Sequence, residues 1–339
     1  MSRRLGIVGA TGLVGRTMLA LLEERHLPIA ALSLFASPRS AGRHLTFRGQ
    51  PVPVRTLDEG AFSGLDLVLF AAGNPVSERW APEAVRAGAR VVDNSSAFRY
   101  RDEIPLVVPE INGRLLDPLP ELVANPNCST VAIALALAPL ATVVPLERLW
   151  VATYQAVSGA GSRAIEELES GVQAGLTGTP PLRSGGEPPF AFNVVPHIST
   201  FEDNGYTREE MKIVWESRKI LNLPDLKVSA TAVRVPVRVG HSAAVHAVFA
   251  RPISPDEARA AWRTFPGLEV VDDPARGRYP TPLQAAGRDA VLVGRVRRDL
   301  SEPRALEFFV ASDNLRKGAA LNAVQIAEAL LDREAATRR

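Results

Sequence analysis

Leu5-Gly6-Ile7-Val8 followed by Gly9-Ala10-Thr11-Gly12-Leu13-Val14-Gly15 is the stretch from which the architecture can be read. The first four residues suit a short buried strand, and Met18, Leu19, Leu21 and Leu22 recur beyond the glycines at helical spacing. Between a strand and a helix, glycines let the backbone approach a pyrophosphate while the helix N-terminus offers N–H donors. The spacing departs by one residue from GxGxxG, and a tight structural turn could use the same glycines. Residues 32–35, 65–70 and 90–93 read as further strands, with a helix over 77–87 between the last two. Strands alternating with helices predict a mostly parallel sheet covered on both faces.

After Cys128 the rhythm changes. A helix over 130–141 and a strand over 149–155 precede a Gly/Pro-rich stretch at 175–189. A helix over 208–221 then leads into long strands at 227–239 and 242–251. Strands without intervening helices predict an antiparallel or mixed sheet and a second domain of α+β type. An amphipathic helix with a small-residue face is expected over 315–331, packing back on the first domain, with a frayed tail at Arg338-Arg339.

The chain has 339 residues, enough for about two domains. Its 39 Lys and Arg against 37 Asp and Glu leave a net charge of +2, too small for the cationic field that nucleic acid or an anionic membrane would need. A small-molecule partner is expected. The single cysteine excludes an intramolecular disulfide framework and any multi-cysteine metal site, and points to a reducing compartment. No apolar signal stretch follows Arg3-Arg4, so a cytoplasmic location is expected. The uncharged run 125–146 is broken by Pro126, Pro139 and Pro145 and reads as a buried helix, not a membrane span.

Cys128 falls near the start of that helix, where the dipole and N–H groups favour a thiolate. A buried inert cysteine is the alternative. Of the five histidines, His26 and His44 belong to surface elements of the first domain, His246 reads as packed in an apolar strand, and His197 follows a Val-Val-Pro loop. His241, after Gly240 at the bend between two strands, is expected at an exposed mouth and is the preferred proton-transfer partner. Arg234 and Arg238 are placed on one strand face beside Ala230 and Ala232, opposite an apolar valine face. Thr207 and Glu210 have the spacing of a capping box, and Glu209 and Lys212 share a helix face. The segment 36–43 carries two serines, Ser37 and Ser40, and two arginines but no carboxylate, which suits the 2′-phosphate of NADP better than the ribose of NAD; a solvated basic turn is the alternative.

These residues resemble the aspartate-β-semialdehyde dehydrogenase family. The motifs are GATGLVG at 9–15, SPRSAG at 37–42, NSSAFR at 94–99, NPNCST at 125–130 and TYQAVSGAG at 153–161, followed by EEMK at 209–212, RVPVRVGHS at 234–242 and DNLRKGAALNAVQIAE at 313–328. The resemblance implies an α/β fold with a Rossmann-type NADP-binding domain, residues 1–127 plus 314–339, and an α+β catalytic and dimerisation domain, residues 128–313. It implies that Cys128 is the acyl-accepting nucleophile, His241 the general acid/base and Gln155 a substrate-positioning residue. Arg234 would take the substrate carboxylate and Glu209 its amino group, while Arg99 and Lys212 would bind phosphate. Gly9, Ala10, Thr11, Gly12, Leu13, Val14 and Gly15, with Ser37, Arg39 and Ser40, would hold NADP, and Ser158, Gly159 and Asn314 would meet its nicotinamide portion.

The implied activity is NADPH-dependent reductive dephosphorylation of L-aspartyl-4-phosphate to L-aspartate 4-semialdehyde by a homodimer, in lysine, threonine, methionine and isoleucine biosynthesis, with no metal required. A rival in the same chemical class is N-acetyl-γ-glutamyl-phosphate reductase, whose acetylated substrate has no ammonium for Glu209 to hold.

Overall fold

The computed structural model describes residues 3–181, 183 and 186–337, so Met1-Ser2, Leu182, Ser184-Gly185 and the Arg338-Arg339 tail, with the fraying expected of it, lie outside the described residues. The chain forms two compact units: one takes in the chain up to Asn127 and again from Ala319 onward, the other is Cys128–Gly318.

The first unit runs β1 (Arg3–Val8), α1 (Leu13–Glu24), β2 (Ile29–Phe35), β3 (His44–Phe47), β4 (Gln50–Arg55), β5 (Leu67–Phe70), α2 (Asn74–Arg86), β6 (Arg90–Asp93), α3 (Pro109–Asn112) and β7 (Leu122–Ala124). Its seven strands are ordered β3-β4-β2-β1-β5-β6-β7 and are parallel except for the β3–β4 hairpin. That hairpin is an addition to the sequence reading, because Pro51 and Pro53 within β4 argue against a strand. The predicted apolar residues of β1 and α1 are buried together, joined by Val324, Ile326 and Leu330 of the C-terminal helix Leu321–Thr337. The helix starts later than predicted because residues Arg316–Ala320 form a π-type turn ahead of it.

Polar groups fix the loops at the carboxyl ends of this sheet. Buried Asp93 accepts from Ser77 Oγ (2.6 Å), Ser95 Oγ (2.6 Å) and the Ser95 N–H (3.2 Å), anchoring the segment that leads to Arg99. Burial pushes the Asp93 carboxyl up from its ordinary pKa, against the opposing pull of those donors. Asn322, on the C-terminal helix, donates to the Val107 carbonyl (2.9 Å) and to Asn125 Oδ1 (2.7 Å), and Asn125 Nδ2 donates to Asn94 Oδ1 (2.8 Å).

The second unit runs α4 (Cys128–Val143), β8 (Leu146–Gln155), α5 (Ser162–Leu176), α6 (Arg208–Leu221), β9 (Lys227–Arg234), β10 (His241–Phe249), α7 (Pro255–Thr264), β11 (Leu268–Val270), α8 (Pro282–Ala285), β12 (Val291–Arg298) and β13 (Ala305–Ser312). The sheet is mixed, as expected, in the order β11-β12-β13-β10-β8-β9; β8–β9 and β11–β12 are parallel and the remaining pairs antiparallel. Helix α4 is buried continuously from Ser129 to Leu140, packed on this sheet and against α6 and α7. Its all-round apolarity follows from that position, each fully buried Leu, Ile or Val contributing about 1.5–3 kcal/mol. The Trp262 indole of α7 donates to the Ala136 carbonyl (2.8 Å), satisfying a helix carbonyl near Pro139. Among the described residues, no helix is long and apolar enough to cross a membrane.

Two strand readings change. Strand β9 ends at Arg234, short of the predicted 239, because Pro236 lacks the N–H needed to extend the ladder. Arg238 therefore does not share a strand face with Arg234; it is exposed and pairs with Glu169 at 2.8 Å. The face with Ala230, Ala232 and Arg234 is the buried one, whereas Val233 is only partly covered. The return to the first unit falls after Gly318 rather than at Asn314, because Asn314 is tied into the second unit by its side chain.

The Asn322 network yields a stability prediction. Asn322→Ala leaves a buried carbonyl and a buried amide oxygen short of a donor, which should cost about 1–3 kcal/mol. A urea titration showing the midpoint unchanged would remove the network from the account of the C-terminal helix.

Candidate active site

Cys128 is the first residue of α4, with no acidic residue in the first turn to oppose a thiolate, and it is partly exposed. Gly318 lies against it: a Cβ at 318 would stand 3.0 Å from the Cys128 Cβ and 3.1 Å from its carbonyl oxygen. Sequence reasoning passed over Gly318, whose only signal was its place within the DNLRKGAALNAVQIAE motif.

The turn after β8 gathers the other groups. Gln155 is buried; its Oε1 accepts from Thr153 Oγ1 (3.0 Å) and its Nε2 donates to Glu209 Oε1 (3.1 Å). The second Glu209 oxygen accepts from Lys212 Nζ (2.8 Å). Both arise from the start of α6, where the Thr207–Glu210 capping box is formed in both directions and fixes which face Glu209 presents. Arg234, at the end of β9, donates from Nη1 to the Ala156 carbonyl (2.8 Å). Burial lowers its pKa, countered by the negative charge of Glu209 and of Cys128.

His241 opens β10 and is buried at 2 % exposure, not set at an exposed mouth as the adjoining glycine and arginines suggested. Gly240 explains the difference: at φ 100° it turns the chain inward, and a Cβ there would strike the Pro282 carbonyl oxygen at 2.6 Å. The imidazole Nδ1 accepts the Ala156 N–H (3.0 Å), and Nε2 is buried without a hydrogen-bond partner among the described residues. Gly159 forms the floor beneath, where a Cβ would be 3.2 Å from both Arg234 Nη1 and His241 Nε2. Asn314 braces the two bends, accepting the Gly240 N–H (2.9 Å) and donating to Ser158 Oγ (2.9 Å).

Two other histidines of the second unit make contacts outside this cluster. His197 is exposed and stacked on Phe201 at 4.7 Å. His246 is half-buried rather than packed, its ring edge on Trp150 and its Nδ1 near Asp299 and Glu307. His26 and His44 are exposed in the first unit. Arg99 also belongs to the first unit, where it donates to the Asn94 carbonyl (2.6 Å).

The glycine loop of the first unit spans β1 and α1. Gly9 and Gly15 are needed for packing, since a Cβ would meet the Ala71 carbonyl oxygen at 2.5 Å or the Gly9 carbonyl oxygen at 2.3 Å. Gly12 is not: a Cβ there would make only ordinary contact at 3.5 Å, and its φ of −75° suits any residue. The Gly9 and Ala10 N–H groups bond to the Phe35 carbonyl at the end of β2, which brings Ser37, Arg39 and Ser40 alongside; Thr11 Oγ1 donates to Ser40 Oγ at 3.3 Å.

A nucleotide-type glycine loop in one unit and a cysteine at a helix start beside buried Arg, Glu, Gln and His in the other define a semialdehyde dehydrogenase. The family models match accordingly: semialdehyde dehydrogenase, NAD binding domain, over residues 4–117, and semialdehyde dehydrogenase, dimerisation domain, over residues 137–317. An aspartate-semialdehyde dehydrogenase from Legionella pneumophila is 51% identical, covering 98% of this chain and 97% of its own. The crystal structure of aspartate semialdehyde dehydrogenase II complexed with ASA from Vibrio cholerae superposes with a TM-score of 0.94 at 44% identity, covering 98% of this chain and 99% of that one. The aspartate semialdehyde dehydrogenase with NADP from Candida albicans has a TM-score of 0.75 at 27% identity, with 97% and 98% covered. The chain belongs to the aspartate-semialdehyde dehydrogenase family and is an oxidoreductase.

Burial holds the pKa of His241 at about 3 instead of 6.5, with Arg234 adding to the effect and Glu209 opposing it. Above pH 6.5 the imidazole is neutral whether the chain is folded or not. Between there and about 3 only the unfolded chain binds the proton, so stability falls as pH drops, by up to about 1.4 kcal/mol per pH unit. Urea titrations near pH 7.5 and pH 5 should show the wild type losing about 2 kcal/mol more than His241→Gln. Equal losses would mean that position 241 is protonated in the folded chain.

Proposed function

We propose that this chain reduces L-aspartyl-4-phosphate to L-aspartate 4-semialdehyde with NADPH, through an acyl thioester on Cys128. The observation carrying this reading is the convergence of a helix-start cysteine, a buried guanidinium and a buried carboxylate within the second unit. A carboxylate is a poor hydride acceptor, and an acyl phosphate gives the thiolate a good leaving group to expel. The dipole of α4 and Arg234 both favour the thiolate, and the first N–H groups of α4 suit the oxyanion formed on attack.

Arg234 offers a planar fork for the substrate carboxylate, and Lys212 a compact charge for the departing phosphate. A substrate ammonium would join Gln155 and Lys212 on Glu209, whose two oxygens have room for more than one donor each. An acetylated amine could not use that carboxylate, which favours the aspartyl substrate over an N-acetylglutamyl one.

The first unit fits a dinucleotide. Packing accounts for Gly9 and Gly15 but not for Gly12, whose bare Cα at the start of α1 leaves room for a pyrophosphate. Ser37, Arg39 and Ser40, with no carboxylate among them, suit a 2′-phosphate, hence NADP. When bound, NADPH supplies the hydride. A homodimer is supported by the dimerisation-domain match and by Trp150 and Tyr154, which are exposed on the sheet of that unit.

The deciding assay is phosphate-dependent reduction of NADP by aspartate semialdehyde, set against N-acetylglutamate semialdehyde. The first substrate should turn over, and Cys128→Ala should abolish that turnover while retaining NADP binding. Near wild-type activity in the variant would end the thioester mechanism. Replacing Ser37 and Arg39 together by Ala should weaken NADPH by about 10- to 150-fold, the equivalent of one charge-assisted bond, and leave NADH nearly unchanged. Equal losses for both cofactors would make the segment structural.

A further inference from the structure

We infer that residues 189–195, at the end of the Gly/Pro-rich stretch, form a strap that holds Arg234 in place for the substrate carboxylate, with Gly171 and Ala191 as the positioning residues that fix its seat. The inference rests on the carboxylate role given to Arg234 above and adds the part of the chain that sets it.

Arg234 is the last residue of β9, which lies at an edge of its sheet. Pro236 stops the ladder just beyond, so the backbone of Arg234 needs a neighbour from elsewhere. Val195 supplies it on the free edge. The Val195 N–H donates to the Arg234 carbonyl (2.9 Å), and the Arg234 N–H donates to the Val195 carbonyl (2.8 Å). The guanidinium is held at the other end by the Ala156 carbonyl. The strap thus fixes the root of a side chain whose tip is already fixed.

The strap is itself seated on α5. Phe190 and Ala191 are buried with Ala164 and Leu168 of that helix and with Val157, which heads the turn whose Gly159 lies beneath Arg234. Gly171 and Gly175 continue the same helix face, at positions where glycine costs helix stability. The strap accounts for both: a Cβ on Gly171 would stand 3.0 Å from the Ala191 Cβ, and one on Gly175 would stand 2.5 Å from the Phe192 ring. The two contacts differ in consequence. The Phe192 ring is exposed and can swing aside, whereas the Ala191 Cβ moves only with the main chain.

Two further features hold the strap to its course. Phe192 has a φ of 55°, which a bulky residue adopts only where the surroundings impose it, so the chain turns toward Val195 at a fixed point. Arg183 lies over the Phe190 ring at 3.8 Å and is gripped by Glu167 of α5 (3.1 Å) and by Glu187 (2.6 Å). The strap brings no nucleophile, acid or base to the reaction. Displacing it acts on how Arg234 meets the carboxylate, which appears in KM and not in kcat.

Gly171→Ala in the full-length protein tests this. The added methyl favours the helix but forces Ala191, and the strap with it, to give by a few tenths of an ångström. With NADP and phosphate, the KM for aspartate semialdehyde should rise about 3- to 10-fold, while kcat and the KM for phosphate stay within about twofold. Hydrogen exchange over residues 230–236, read by mass spectrometry without substrate, should quicken by about 3-fold or more. Adding Ala191→Gly removes the opposing methyl. The double variant should return both readouts to within about twofold of Ala191→Gly alone. Should Gly171→Ala fail to fold, Arg183→Lys carries the same two readouts, since it keeps the charge but loses the fork that grips Glu167 and Glu187.

Unchanged exchange, an unchanged KM, a fall in kcat with KM unmoved, or a double variant as impaired as Gly171→Ala would each overturn the inference. Should wild type fail to oxidise aspartate semialdehyde, the proposed function falls, and exchange alone decides whether the strap holds Arg234.

Discussion

The second unit's chemistry is organised around one short stretch of main chain, the peptide between Gln155 and Ala156. Its carbonyl is held by the Val235 N–H, its N–H by His241, and the next carbonyl by Arg234. Two ionisable side chains are thus oriented at the end of β8 by backbone groups that do not titrate. Any shift in the end of β8 would be felt by His241 and Arg234 together. The glycine at 159 permits this closeness, since a larger residue would press on both side chains at once.

Around that point, charge is arranged as an alternation. Lys212 and Gln155 hold Glu209, Arg234 lies within the influence of Glu209 and Cys128, and the imidazole between them stays neutral. Buried charges are costly unless paired, and each of these has a counterpart. A neutral His241 adds no further positive charge beside Arg234. Helix α4 contributes its dipole and nothing ionic, because its body is enclosed by the sheet and by α6 and α7.

Much of this was legible beforehand where a local signal and the tertiary context agree. The glycine loop between β1 and α1, the capping box at Thr207 and the placement of Cys128 at a helix start are local signals that long-range packing did not override. What escaped reading depended on distant partners. Strands β11, β12 and β13 stayed unread because β12 interrupts its apolar run with Gly294 and turns Arg295 and Arg297 outward. The alternation of Val233, Val235 and Val237 continues through Pro236 and hides the end of β9. His241 sits among residues typical of an exposed bend, and the glycine before it packs against the Pro282 carbonyl, some forty positions away. Gly318 and Asn322 carry no signal of their own, since their importance lies entirely in what touches them.

The contact between Gly318 and Cys128 has a topological meaning as well. These residues are the last and first of the second unit, so the chain leaves that unit at the place where it entered. To the first unit, the whole second unit is a single insertion whose ends are already joined. Closing an unstructured loop of that length would carry a large entropic cost before the C-terminal helix could reach its place beside α1. Once the inserted unit has folded, that closure is already made, and Asn127 and Ala319 are presented as neighbours. The segment that completes the first unit's core thus follows, in the chain, a unit to which it does not belong.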